Sequence, residues 1–163
     1  MKPLQVFLLL FSPFLVFGQG QIGKDIASLR NNGETFENVR LMRYLTDDVD
    51  SRAVSELAKG TFMQLDLAAI QSLQRSELGA ITLEIPAENN TTLTLELIQH
   101  EILTPGFQLL TSSSPTTPVA YTPGMYYKGI IRGMENSVAA ISVFNDEVRG
   151  VISYKGGNLV LAR

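Results

Sequence analysis

Residues 126–154 read YYKGIIRGMENSVAAISVFNDEVRGVISY. Three β-branched, aliphatic and aromatic runs are cut by two polar turn signals, MENS at 134–137 and NDE at 145–147. Gly129, Gly133, Ala139, Ala140 and Gly150 recur within this stretch, and small residues inside strands mark bulges or close backbone approaches. Alternation puts Tyr127, Gly129 and Ile131 on one face and Tyr126, Lys128, Ile130 and Arg132 on the other. The stretch therefore predicts an antiparallel meander. A further turn at 155–158 leads to a fourth strand over 159–162, which reaches Arg163 with no closing turn or polar tail. A natural terminus and a fragment of a longer protein are both open on that evidence.

Working upstream, residues 102–127 carry no charged side chain, and their centre, 111–118, reads TSSSPTTP. Its two prolines predict a long crossover loop instead of paired strands, with Phe107, Leu109, Leu110, Val119 and Tyr121 laying it against the protein. Before it, Ala80–Ile85 and Thr92–Ile102 alternate as a strand pair, with Pro86 to Asn90 as the turn. Thr61–Leu65 reads as a short strand, and Asp66 as the N-cap of a helix in which Leu67, Ile70 and Leu73 share a face, ended by Gly79. The fold class is thus mainly β (α+β): an antiparallel sheet with one or two short helices over 61–163.

Residues 19–60 form a polar segment of mixed charge, with Asn31-Asn32-Gly33 as a turn and a weak helix over 52–59 stopped by Gly60. Residues 1–18 read as a signal peptide: Lys2, an apolar run from Val6 to Phe17, then small residues at Gly18 and Gly20. Gln5, Pro13, Gln19 and Gln21 dilute the interval below a good membrane span. The chain is accordingly expected to be secreted, periplasmic or on the cell surface, without stable membrane insertion once the leader is cut.

Composition excludes several functions. A net charge of −3 without a basic block argues against nucleic acid. The chain has no Cys, which removes disulfides, thiolate metal sites, lipoprotein acylation and a cysteine nucleophile. A single histidine, His100, argues against a histidine-based metal site within the chain, and a surface or hydrogen-bonded role is expected for it. Asp47-Asp48-Val49-Asp50 fails as a calcium loop, since counting from Asp48 gives Ala53 at the sixth position and Lys59 at the twelfth. Glu96 and Glu101, five apart in one predicted strand, point to opposite faces and cannot act as a carboxylate pair. Asn89 and Asn90 each head an Asn-x-Thr triplet, which matters only in a glycosylating host. No catalytic or metal-binding residue is assigned.

The meander resembles the propeptide core of reprolysin/ADAM-type zinc metalloproteases, especially their secreted bacterial relatives. The residues that carry the likeness are Tyr127 and Gly129, then Asn136, Ser137, Val138, Ala139, Ala140 and Ser142, then Arg149, Gly150 and Ile152. The strand–Asp–helix unit FMQLDLAAIQSL at 62–73 fits the same pattern. The resemblance implies an exported inhibitory and folding-assisting prodomain whose partner is the protease domain of the same longer chain. Zinc would belong to that domain, held by a His-Glu-x-x-His helix absent from these residues, so no cofactor is expected here. Lacking the cysteine that caps zinc in many animal members, this chain would inhibit by other means. A free-standing β-domain binding a surface ligand or polysaccharide through Tyr121, Tyr126 and Tyr127 is the alternative. An enzyme in its own right ranks last, since no acid–base, nucleophile or metal constellation passes geometry.

Overall fold

The structure is a computed structural model and describes residues 20–45, 60–87 and 91–162. The predicted signal peptide, the acidic run at 47–50, the weak helix at 52–59 and the two triplet asparagines lie outside the described residues. In chain order the elements are α1 (Gln21–Asn31), β1 (Glu37–Val39), β2 (Met42–Tyr44), β3 (Met63–Leu65) and α2 (Leu67–Ser76). Then come β4 (Ala80–Ala87), β5 (Thr91–Gln99), β6 (Leu109–Thr111) and β7 (Ser114–Val119). The meander follows as β8 (Met125–Ile131), β9 (Met134–Val143), β10 (Val148–Tyr154) and β11 (Gly157–Leu161).

Seven strands form the main sheet, in the order β1-β4-β5-β8-β9-β10-β11. The fold is mainly β with two short helices, as the alternation predicts. It departs from a purely antiparallel sheet at one edge, where β1 runs parallel to β4 with Glu37 opposite Ile81 and Val39 opposite Leu83. Period-2 alternation sends one set of side chains from every long strand to a common face. Ile81, Leu83 and Ile85 join Leu95 and Leu97, Tyr127 and Ile131, Ala139, Ile141 and Val143, and Ile152 and Leu161 in a single buried cluster. Helix α2 adds Ile70 and Leu73 to it, and β2, paired with β3, adds Met42 next to Leu41. Asp66 caps α2 as predicted, its Oδ1 accepting from the Ala69 N–H at 3.0 Å. Leu67 is nevertheless half exposed, and the helix stops at Glu77 (φ 48) rather than at Gly79.

Helix α1 lies across β5, β8 and β9 on the opposite face and buries Gly23 and Ile26. Read as part of a polar segment, it was not foreseen. Its stop was: the predicted Asn-Asn-Gly turn is a Schellman ending, with Gly33 at φ 83. There Glu34 N–H bonds Leu29 O and Gly33 N–H bonds Arg30 O, each at 3.0 Å.

Three turns differ from expectation, each for a local reason. Between β8 and β9 the chain turns at Arg132-Gly133, ahead of MENS, because Gly133 takes the left-handed conformation (φ 76) at no steric cost. A bulge between Gly129 and Ile131 absorbs the offset, and Ser137 Oγ fixes it, accepting from Ile131 N–H at 2.7 Å and donating to Met134 O at 2.6 Å. Between β10 and β11 two residues suffice, Lys155 (φ 49) and Gly156 (φ 75), so Gly157 already pairs with Tyr154. Pro86 belongs to β4, opposite Thr92. It is tolerated because β1 pairs β4 only over 81–83, leaving Pro86 on a locally open edge. By contrast, Asn145 to Glu147 joins β9 to β10 as predicted, closed by Phe144 N–H to Glu147 O at 2.8 Å.

Candidate interaction face

The region predicted as a long crossover loop contains a hairpin. Strands β6 and β7 pair only with each other, Leu109 opposite Val119 and Thr111 opposite Ser114, with a register irregularity between. Pro115 and Pro118 both sit in β7, where a strand with one neighbour has an unpaired edge that needs no N–H donor. The apolar side chains of this arm stay outside the core. Phe107, Leu109, Leu110, Val119 and Tyr121 are 36 to 50% exposed, and none belongs to the buried cluster or packs against it.

At the root of the arm, side chains from three segments meet. The Phe107 and Tyr121 rings lie 5.7 Å apart, Tyr121 and Tyr126 hydroxyls are 3.2 Å apart, and Tyr126 meets Phe144 edge-on at 6.2 Å. The hydrogen bond to Tyr126 is the main reason the Tyr121 hydroxyl is held above its ordinary pKa of 10.0. Gly124 allows this arrangement, because a Cβ there would stand 2.7 Å from the Phe144 ring and 3.0 Å from Val143 O. Beside the row lies an open cleft of about 750 Å³, walled by Gln99, His100 and Glu101 on one side and by Pro123, Gly124 and Tyr126 on the other. His100 and Glu101 are exposed and follow β5 instead of lying in it.

The expected tyrosine group is thus divided. Tyr121 and Tyr126 come together, whereas Tyr127 is buried, its hydroxyl donating to Leu78 O at 3.1 Å and its pKa raised by burial. Phe107 and Phe144 complete the row. Phe107 was visible only as an apolar flank of the loop, and Phe144 as the last apolar residue before the NDE turn.

The residues that carry the family likeness do not form a pocket. They lie along β8, β9 and β10 and shape the sheet. A Cβ on Gly129 would overlap the Glu96 carbonyl oxygen, and one on Gly150 would stand 2.8 Å from Ala140 O, so both glycines permit close strand approach. Ser137 holds the bulge, while Asn136 and Ala140 are exposed. Ser142 sits opposite both Tyr126 and Arg149, and the Arg149 guanidinium pairs with Glu147 at 2.6 Å.

Among the described residues one carboxylate is buried. Glu96, 1% exposed, takes Arg30 of α1 and Arg132 (2.8 Å) on the same oxygen, Oε1. Arg132 also donates to Thr82 Oγ1 at 2.9 Å, and Glu96 Oε2 has no hydrogen-bond partner among the described residues. This cluster ties α1 to the sheet and does not open on the cleft. Among the described residues no group of three or more His, Cys, Asp or Glu side chains could hold a metal ion, and no helix is long and apolar enough to cross a membrane. The face presents an uncharged apolar arm, four aromatic rings with two hydroxyls, and a cleft with an imidazole, an amide and a carboxylate on one wall.

No family model, no curated protein and no solved structure matches this chain.

Proposed function

We propose that this chain is a covering domain of the propeptide type, exported with its leader, which docks on a zinc protease domain carried by the same longer protein. The exposed arm carries the reading. Half of the large apolar side chains exposed among the described residues, Phe107, Leu109, Leu110, Val119 and Tyr121, are gathered on this one arm outside the buried cluster, and exposed apolar surface of this kind marks an interaction site. A neutral hairpin with unpaired backbone groups can enter a protease cleft by strand addition. With no cysteine to ligand the zinc, the block would be steric.

The test begins with the reading frame beyond codon 163, which should encode a His-Glu-x-x-His protease domain. That domain, produced separately, should be inhibited by this chain. Leu110→Asp and Tyr121→Asp should relieve inhibition by at least about tenfold, the equivalent of 1.4 kcal/mol, with unfolding midpoints unchanged. A stop codon directly after 163, or inhibition indifferent to the arm, would defeat the proposal. The row Phe107–Tyr121–Tyr126–Phe144 favours a second reading, a polysaccharide-binding module. In that case Tyr121→Ala and Tyr126→Ala would abolish retention on an insoluble glycan without unfolding the domain.

A further inference from the structure

Three open clefts meet around Pro123. The one beside Tyr126, of about 750 Å³, shares Leu103 and Pro123 with a second of about 320 Å³ that runs onto the arm. It shares Gln99 and Pro123 with a third of about 570 Å³ that reaches Glu77, at the end of α2. The three are continuous, so an elongated ligand fits them better than a compact one.

Carboxylates set the charge of this groove. Glu101 and Glu77 line it and are both exposed, whereas no lysine or arginine lines any of the three clefts. Glu84, Glu96 and Glu147 each pair with an arginine, but neither Glu77 nor Glu101 is in an ion pair among the described residues. Tyr126, half-buried, lines the wall opposite Glu101. An aromatic ring and an unpaired carboxylate across one cleft are the two groups that a guanidinium or ammonium engages together. Gln99 and His100, beside Glu101, offer hydrogen bonds to a peptide backbone.

We propose that this groove binds an extended basic peptide, one arginine or lysine of which sits between the Tyr126 ring and the Glu101 carboxylate while a second reaches Glu77. The carboxylate accepts charge-assisted hydrogen bonds, two at once from a guanidinium, and the ring adds a cation–π contact. Charge complementarity selects this occupant. An anionic ligand meets two carboxylates and no lysine or arginine. A neutral glycan leaves both carboxylates without a counter-charge, whereas a basic peptide supplies one to each. The site is separate from the apolar surface on which the covering role rests, since Leu110 lines none of the three clefts.

The test titrates the full chain into fluorescein-labelled glycine–serine peptides that carry a pair of arginines, glutamines or glutamates, with cellohexaose as a neutral competitor. Fluorescence polarisation should show the arginine peptide binding at least about tenfold more tightly than the glutamine one, with the glutamate peptide unbound and the preference shrinking in high salt. Glu101→Gln and Tyr126→Leu should each weaken arginine-peptide binding by about fivefold or more, while Leu110→Ser, on the arm, should leave it within about twofold. If Tyr126→Leu fails to fold by circular dichroism, Glu101→Gln, at an exposed side chain, decides. No binding of the arginine peptide, equal affinity for the three peptides, full binding by Glu101→Gln, displacement by cellohexaose, or equal loss in Leu110→Ser would overturn the inference. None of these outcomes bears on the covering role, which is read from protease inhibition and the arm.

Discussion

On one face of the main sheet, Ile81, Leu83, Leu95, Leu97, Ile141 and Ile152 lie in one cluster with Ile70 and Leu73 of α2, and the cluster contains no charged residue. On the other face α1 crosses β5, β8 and β9 with Glu96 beneath it, held by Arg30 and Arg132. Both coverings are helices of similar length, 11 residues for α1 and 10 for α2, yet they are held differently. The first is non-directional: many apolar contacts share the load, and no single one sets its geometry. The second depends on one carboxylate whose partners are half exposed, at 47% for Arg30 and 52% for Arg132. Apolar burial supplies the global stability, and the ion cluster fixes where α1 sits.

The largest expected effect tests the apolar face. Leu97→Ala removes a fully buried side chain and should cost about 2–5 kcal/mol, read as a lower urea midpoint with an unchanged slope. Next comes Glu96→Gln, which removes the charge while leaving one acceptor oxygen. Because both arginines can return to water, the loss should be about 1–3 kcal/mol. It should also be local. Amide hydrogen exchange should accelerate in residues 21–31, with the amides of β9 and β10 unmoved. Uniform acceleration across the sheet would mean that the carboxylate supports the whole core, and the contrast between the faces would fall.

The same contrast explains what the sequence made legible. The strands of the meander could be read because alternation acts locally, and Ile141 and Ile152 need only their own neighbours to mark the inner face. Helix α1 could not. Its covering role depends on Arg30 reaching a carboxylate 66 residues away, while Arg132 arrives from 36 residues away, and no local pattern records such a meeting. The arm was misread for a different reason. Pro115 and Pro118 argue against a strand inside a sheet, but a two-stranded arm has outer edges where the missing N–H costs nothing. The aromatic row was half legible: Tyr121 and Tyr126 were named, but together with Tyr127, which follows strand parity inward. Phe144 joins only because the chain at Gly124 passes over its ring.

Tyr127 and Glu84 refine the comparison at smaller scale. Burial raises the Tyr127 pKa above the ordinary 10.0, so its neutral form is favoured in the folded state. Its contribution is complete below pH about 10 and is lost as pH rises from there through the raised folded value. Tyr127→Phe should cost about 0.5–1.5 kcal/mol at neutral pH for the lost bond to Leu78 O and should flatten the alkaline limb of a stability–pH curve. An unchanged limb would assign that titration to another group.

The smallest effect belongs to Glu84, on the same strand and face as Thr82 but outside the cover of α1. Arg40 donates to its carboxylate through both Nε, at 3.0 Å, and Nη2, and this hydrogen bonding is the main cause of a pKa below the ordinary 4.5. The sign is opposite to that of Tyr127: the stabilisation is present above the ordinary value and is lost as pH falls through the lowered one. Arg40 is 71% exposed, so water and salt screen the pair, and Glu84→Gln should cost less than about 1 kcal/mol, less still in high salt. Glu84 and Glu96 are both strand carboxylates bonded to arginine, and burial under α1 is the main difference between them. If Glu84→Gln proved as costly as Glu96→Gln, the cover of α1 would contribute nothing to the buried pair. The helix would then be held by Ile26 and the close approach of Gly23 to Glu135 alone.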